Sequence, residues 1–137
     1  MFFVIPGNEG CNPYAQNLRQ EKMGVINPHQ YYIYIVTNAQ KKALYTGVTN
    51  NLNRRITEHW LNRGKDDTFA GKYHCYNLIY FENFQYINLA IVREKEIKGW
   101  RRQKKIDLIA TTNPSWAFLN ISIFGSWPPY ESKSDAK

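Results

Sequence analysis

Apolar and polar positions along the chain change period several times, and each change marks an element. Residues 31–36 are aromatic and β-branched throughout and 43–48 are similar, while the polar stretch 38–42 between them suits a hairpin connection. Two paired strands are expected. Asn50 or Asn51 then caps a helix on which Leu52 and Ile56 stand four apart, with Trp60 continuing the series until Gly64 ends it. Residues 64–72 form a basic, glycine-containing loop, 76–81 a third strand, and 87–106 one long helix with Ile87, Ala90, Ile91 and Ile97 on a single stripe. The order β-β-α-β-α predicts an α/β fold, a small three-stranded antiparallel sheet flanked by helices. Residues 1–30, with glycines and prolines among polar residues and no sustained period, read as an arm, and the domain runs over 31–120. Asn113-Pro114 breaks the helical pattern before a last apolar patch at Trp116, Phe118 and Leu119. The remainder, 121–137, reads as a flexible tail, most clearly from Gly125 onward.

Three polar side chains stand where packing alone would not put them. At 100° per residue, Glu94 falls near the centre of the stripe made by Ile87, Ala90, Ile91 and Ile97. Burying an unpaired carboxylate costs several kcal/mol, so Glu94 must meet a cation or open onto a polar cleft. The structural reading is an ion pair with a lysine or arginine. On the shorter helix, Arg55 and His59 share the side of Leu52 and Ile56, while Arg54 and Glu58 rotate outward. Such a pair serves equally as core-edge hydrogen bonders or as a phosphate clamp. Tyr32 and Tyr34 share one face of the first strand, and Tyr45 lies opposite Leu44 and Thr46 in the second. With ten tyrosines in the chain most are packing material, but Gly47 beside Tyr45 permits close approach of a backbone or ligand.

Charge and cysteine usage narrow the setting. The 137 residues, 43% of them apolar, suffice for one core, and 18 Lys and Arg against 11 Asp and Glu give a net charge of +7, which favours a polyanionic partner. Cys11 and Cys75 lie far apart without zinc or disulfide spacing, which fits a reducing compartment and a cytoplasmic chain. The apolar opening 1–5 stops at Pro6-Gly7, too early for a signal peptide, and nowhere do about eighteen apolar residues run together, so no membrane span is expected.

Four blocks, Tyr32-Ile33-Tyr34-Ile35-Val36, Leu44-Tyr45-Thr46-Gly47, 53–59 with Arg55 and His59, and Ala90-Ile91-Val92-Arg93-Glu94, together resemble the GIY-YIG nuclease domain over roughly residues 31 to 116. The resemblance is nearest to small stand-alone bacterial members, similar to the nuclease module of excision-repair endonucleases. It implies metal-dependent hydrolysis of DNA phosphodiesters, with Tyr34, Tyr45, Arg55, His59 and Glu94 as catalytic residues and Glu94 as ligand of one divalent ion, Mg2+ or Mn2+. The face analysis selects Arg55, His59 and Glu94 independently. Tyr32 replaces the glycine of the family name and Thr46 its isoleucine, at positions without a chemical task. Asn113 falls near an asparagine that some members carry at the end of the domain.

On that resemblance, Arg55 is expected to bind a non-bridging phosphate oxygen, and Tyr34 or Tyr45 to take a proton from the attacking water, directly or in a relay, if nearby cations lower its pKa. His59 orients that tyrosine or shares the proton. Lys95, Lys98, Arg101, Arg102, Lys104 and Lys105 at a basic helix end, with Lys65 and Lys72 before the third strand, are expected to track phosphates. Nothing reads as a base-recognition helix. DNA is the expected substrate, with RNA, a protein partner or a second copy left open. The alternative is a module of the same fold that binds nucleic acid without cutting.

Overall fold

The computed structural model describes residues 30–129. Its strands are β1 (Tyr31–Thr37), β2 (Leu44–Thr49) and β3 (Asn77–Phe84), and its helices α1 (Leu52–Leu61), α2 (Phe69–Lys72), α3 (Ile87–Lys98), α4 (Arg102–Ala110) and α5 (Asn120–Phe124). β1 runs antiparallel to both neighbours in the order β2-β1-β3. The expected α/β fold with a three-stranded antiparallel sheet is the one observed.

The composition of β1 follows from its place. As the central strand it is covered on both faces, which suits a continuous apolar run. Ile33 and Ile35 pack with Ile79, Ala90, Ile97 and Ile109 beneath α3 and α4, while Tyr34 and Val36 pack with Leu52, Ile56, Ala70 and Leu78 beneath α1. The β1–β2 hairpin is closed by Asn38, whose Oδ1 accepts the N–H groups of Lys42 and Ala43 at 2.8 and 3.2 Å. The left-handed residue that this turn needs is Lys41, at φ 62°. Asn51 caps α1, its side chain accepting the Arg54 N–H at 2.9 Å.

Three expectations are corrected. The long helix over 87–106 is two helices, because Gly99 caps α3 and the half-buried Trp100 turns onto the core. A straight helix would separate Ile97 from Ile109 by about 18 Å, yet both are fully buried against the same small sheet. Ile87 leaves the predicted stripe and is 51% exposed, whereas Glu94 keeps its inward place at 8%. The basic loop 64–72 contains α2, capped by Thr68 and tied back by Gly64 donating to the Gly71 carbonyl at 2.8 Å.

The chain also stays packed beyond residue 120, where a flexible tail is expected. Asn120, 2% exposed, accepts the Leu78 N–H at 2.8 Å and donates to the Tyr76 carbonyl at 3.0 Å. Trp127 then closes edge-on against Trp60, ring centres 5.8 Å apart. Asn113 is likewise committed to structure, donating to the carbonyls of Ile79 and Ala117, both at 2.9 Å. The expected arm, apart from Gln30, and residues 130–137 lie outside the described residues.

Candidate active site

Tyr34 sits in the middle of β1, opposite Gly47 on β2 and Phe81 on β3. The hydroxyl end of its ring covers Gly47, and only glycine leaves room for it, since a Cβ on Gly47 would stand 2.3 Å from the Tyr34 hydroxyl. The close approach that Gly47 permits is therefore made by a side chain of the same sheet. Tyr45, two residues earlier on β2, projects from the same face, and α1 lays His59 over both rings, at 5.6 Å from Tyr34 and 5.4 Å from Tyr45 between centres. His59 Nε2 is 2.7 Å from the Tyr34 hydroxyl.

Arg55 stands one turn before His59 and is held by Glu58, Nη1 to Oε1 at 2.8 Å, with about a third of its side chain exposed. Glu58, expected on the outer side of the helix, reaches back through the i,i+3 spacing, a signal the sequence does carry. Glu94 approaches from α3, which contacts both β1 and β2. Its Oε2 forms an ion pair with Lys98, whose Nζ also lies 5.6 Å from the centre of the Tyr45 ring. The ion pair expected for Glu94 on structural grounds is thus present, and its partner belongs to the basic set expected to track phosphates.

Electrostatics separate the roles of these groups. Burial pushes the Tyr34 phenol above its ordinary range, and the nearby Arg55 guanidinium only partly opposes it. The expectation that cations lower this phenol's pKa is met in sign by Arg55 but overridden in magnitude by desolvation. His59 is pushed down to about 4, first by burial and then by the Arg55 charge, with Glu58 opposing. At neutral pH a neutral phenol therefore faces a neutral imidazole, and with the imidazole proton on Nδ1 the hydroxyl donates to Nε2. The Tyr45 hydroxyl has no hydrogen-bond partner among the described residues.

Four elements thus supply the five side chains: Tyr34 from β1, Tyr45 from β2, and Arg55 and His59 from α1 stand together, and Glu94 from α3 is linked to them through Lys98, which pairs with Glu94 and lies by the Tyr45 ring. The remaining predicted residues lie outside this cluster. Lys65, Lys72, Lys95, Arg101, Arg102 and Lys104 are exposed and Lys105 is half-buried. Lys104 rests over the Trp100 ring at 4.4 Å. Arg93, beside Glu94 in sequence, turns the other way, forking onto Glu82 with both bonds at 3.0 Å and reaching Glu96 at 3.0 Å.

Among the described residues no three His, Cys, Asp or Glu side chains gather to hold a metal. A lone carboxylate does not fit zinc, but it does fit a hard ion that keeps most of its waters and takes one or two carboxylates plus phosphate oxygens. Glu94 meets that description.

The sequence profile of the GIY-YIG catalytic domain matches residues 30–107, a span that contains all five clustered side chains. The chain belongs to this family of nuclease domains. A UPF0213 protein of Haloquadratum walsbyi is 37% identical over 78 residues, 57% of this chain and 84% of that protein. A UPF0213 protein of Staphylococcus saprophyticus is 37% identical over 81 residues, 59% of this chain and 95% of its own length. One from Staphylococcus aureus is 35% identical over 79 residues, covering 58% and 93%. Those names state no activity. No solved structure matches the chain. No helix among the described residues is long and apolar enough to cross a membrane.

Proposed function

We propose that the protein is an endonuclease that hydrolyses DNA phosphodiester bonds, with Tyr34, Tyr45, Arg55, His59 and Glu94 as its catalytic residues. The observation that carries this reading is the 2.7 Å contact between the Tyr34 hydroxyl and His59 Nε2, one turn from an arginine that remains partly open to solvent. A merely structural Tyr–His pair needs no arginine beside it, because that arginine makes the imidazole harder to protonate.

The same conflict becomes useful once a phosphate arrives. Arg55 presents a planar fork to a non-bridging oxygen, and the phosphate charge offsets the guanidinium charge that depresses His59. His59 then accepts the Tyr34 proton at Nε2 as the Tyr34 oxygen receives one from the attacking water. Tyr34 acts as a relay in this scheme, since its raised pKa makes a resting phenolate too scarce to serve as the base. Tyr45 lines the same face and packs against both the His59 and Tyr34 rings. Glu94 would hold a single divalent ion, Mg2+ or Mn2+. When bound, such an ion supplies positive charge to the scissile phosphate and the departing 3′ oxygen.

The exposed Lys65, Lys72, Lys95, Arg101, Arg102 and Lys104, with the half-buried Lys105, supply phosphate contacts to either side and make binding salt-dependent. This reading places the chain in the cytoplasm, with DNA repair as a process it suits. A second reading, a module that binds without cutting, draws support from the Lys98 ion pair on Glu94. Nicking of supercoiled plasmid and of a labelled branched duplex, in Mg2+, Mn2+ or EDTA, separates the two. The expected result is ion-dependent cleavage that Glu94→Ala and Arg55→Ala both abolish. Salt-sensitive binding by all three proteins with no cleavage of either substrate would refute the nuclease.

A further inference from the structure

Lys98 differs from every other basic residue of α3 and α4. Its ammonium pairs with Glu94 Oε2 one helical turn away and lies over the Tyr45 ring, so it sits inside the cluster rather than on the flank of the protein. The Glu94 side chain it neutralises is 10% exposed, while the Lys98 side chain is 48% exposed. Among the described residues the charge on Glu94 depends on this one partner, because Arg93 is committed to Glu82 and Glu96. A buried carboxylate must be compensated at all times, but an ammonium on a long, half-exposed stem is readily given up.

We infer that Lys98 is a displaceable counter-cation of Glu94: it neutralises the carboxylate while no divalent ion is bound, and swings to a phosphate oxygen when such an ion takes its place. The inference rests on the proposed role of Glu94 as ligand. An ammonium and a divalent ion compete for the same oxygens, so removing the lysine strengthens ion binding to the free protein. The released ammonium gains a phosphate partner, so ion and nucleic acid bind cooperatively, each raising the affinity of the other by the same factor. A lysine that only tracks phosphates predicts no change in ion affinity without nucleic acid.

The test is a Mn2+ titration of the full chain without nucleic acid, followed by water-proton relaxation, on the wild type, Lys98→Met, Lys98→Arg and Glu94→Gln. Lys98→Met is expected to bind Mn2+ roughly two- to fivefold more tightly, on the scale of a partly exposed ion pair. Lys98→Arg should stay near the wild type, and Glu94→Gln should lose the site. Thermal unfolding gives a second readout that does not depend on activity. Lys98→Met leaves a buried carboxylate unpaired, so its melting temperature should fall and then rise more on Mn2+ addition than that of the wild type. Loss of binding in Glu94→Gln with unchanged or weaker binding in Lys98→Met overturns the inference and leaves Glu94 as ligand. Wild-type Mn2+ binding in Glu94→Gln overturns the ligand reading itself.

Discussion

Replacing Gly47 with alanine adds one methyl group at the point where β2 passes under the Tyr34 ring. The new Cβ would lie 2.3 Å from the phenol oxygen, 2.5 Å from Cζ and 2.9 Å from Cε2. A flexible surface side chain would yield at little cost, but Tyr34 is fully buried, with His59 and Tyr45 packed against its ring. Either the ring tilts and loses His59, or β2 moves away from β1. Overpacking of this kind costs about 1–3 kcal/mol, and a buried phenol stripped of its partner adds about 1–3 kcal/mol. A total of about 3 kcal/mol lowers the melting temperature of a domain this size by roughly 12–24 °C. Urea denaturation and plasmid nicking on the same preparation read both consequences. Because the Tyr34–His59 hydrogen bond is the proposed proton path, nicking should fall on the order of a hundredfold at a temperature where the variant is still folded. A Tyr34→Leu/Gly47→Ala double variant should be less destabilised than the sum of the two single changes, since leucine removes the atoms that clash. Gly47→Ala with stability within about 0.5 kcal/mol of the wild type and full activity would refute the placement of the ring.

Other consequences follow from charge. His59 has a folded pKa of about 4 against an ordinary 6.5, so between these values the unfolded chain binds more protons than the folded one. Stability is therefore full above pH 6.5 and falls as the pH drops toward 4, by on the order of 2–3 kcal/mol; urea midpoints at about pH 7 and about pH 4.5 should differ more for the wild type than for His59→Gln, and equal differences would contradict the shift. Replacing Arg101, Arg102 and Lys104 together with alanine should flatten the dependence of log K on log[salt] by up to about 0.9 for each phosphate no longer neutralised, measured by fluorescence anisotropy on a DNA duplex. An unchanged slope would remove this helix from the interface.

How far the sequence speaks depends on whether a property is local. Arg55, His59 and Glu94 can be selected because a helix of fixed pitch projects its faces from sequence alone, and an inward charge on an apolar stripe is conspicuous there. The three strands are legible for the same reason, as are the cap at Asn51 and the turn after Asn38. The break at Gly99 is not, since the periodicity runs through it and only the width of the sheet demands the turn. The packed segment 120–127 looks like a tail because its anchors are long-range, Asn120 on β3 and Trp127 on α1, and composition carries no trace of such partners.

The site shows the same division more sharply. The family resemblance implies that Tyr34 and His59 act together, but whether the phenol is activated depends on a balance between desolvation and one guanidinium, and that balance exists only in the folded chain. Burial prevails, and of the two routes open in the sequence, direct capture or a relay, it favours the relay in the proposed scheme. Lys98 is the converse case. Its i,i+4 spacing from Glu94 is visible in the sequence, but such spacing is as ordinary as any helical ion pair and does not by itself mark a role at the site. What distinguishes it is that Glu94 is buried and Tyr45 lies within reach on another element. A cation so placed must either leave or be matched before a second cation can enter, so in the proposed scheme divalent-ion binding at Glu94 would depend on Lys98 as well.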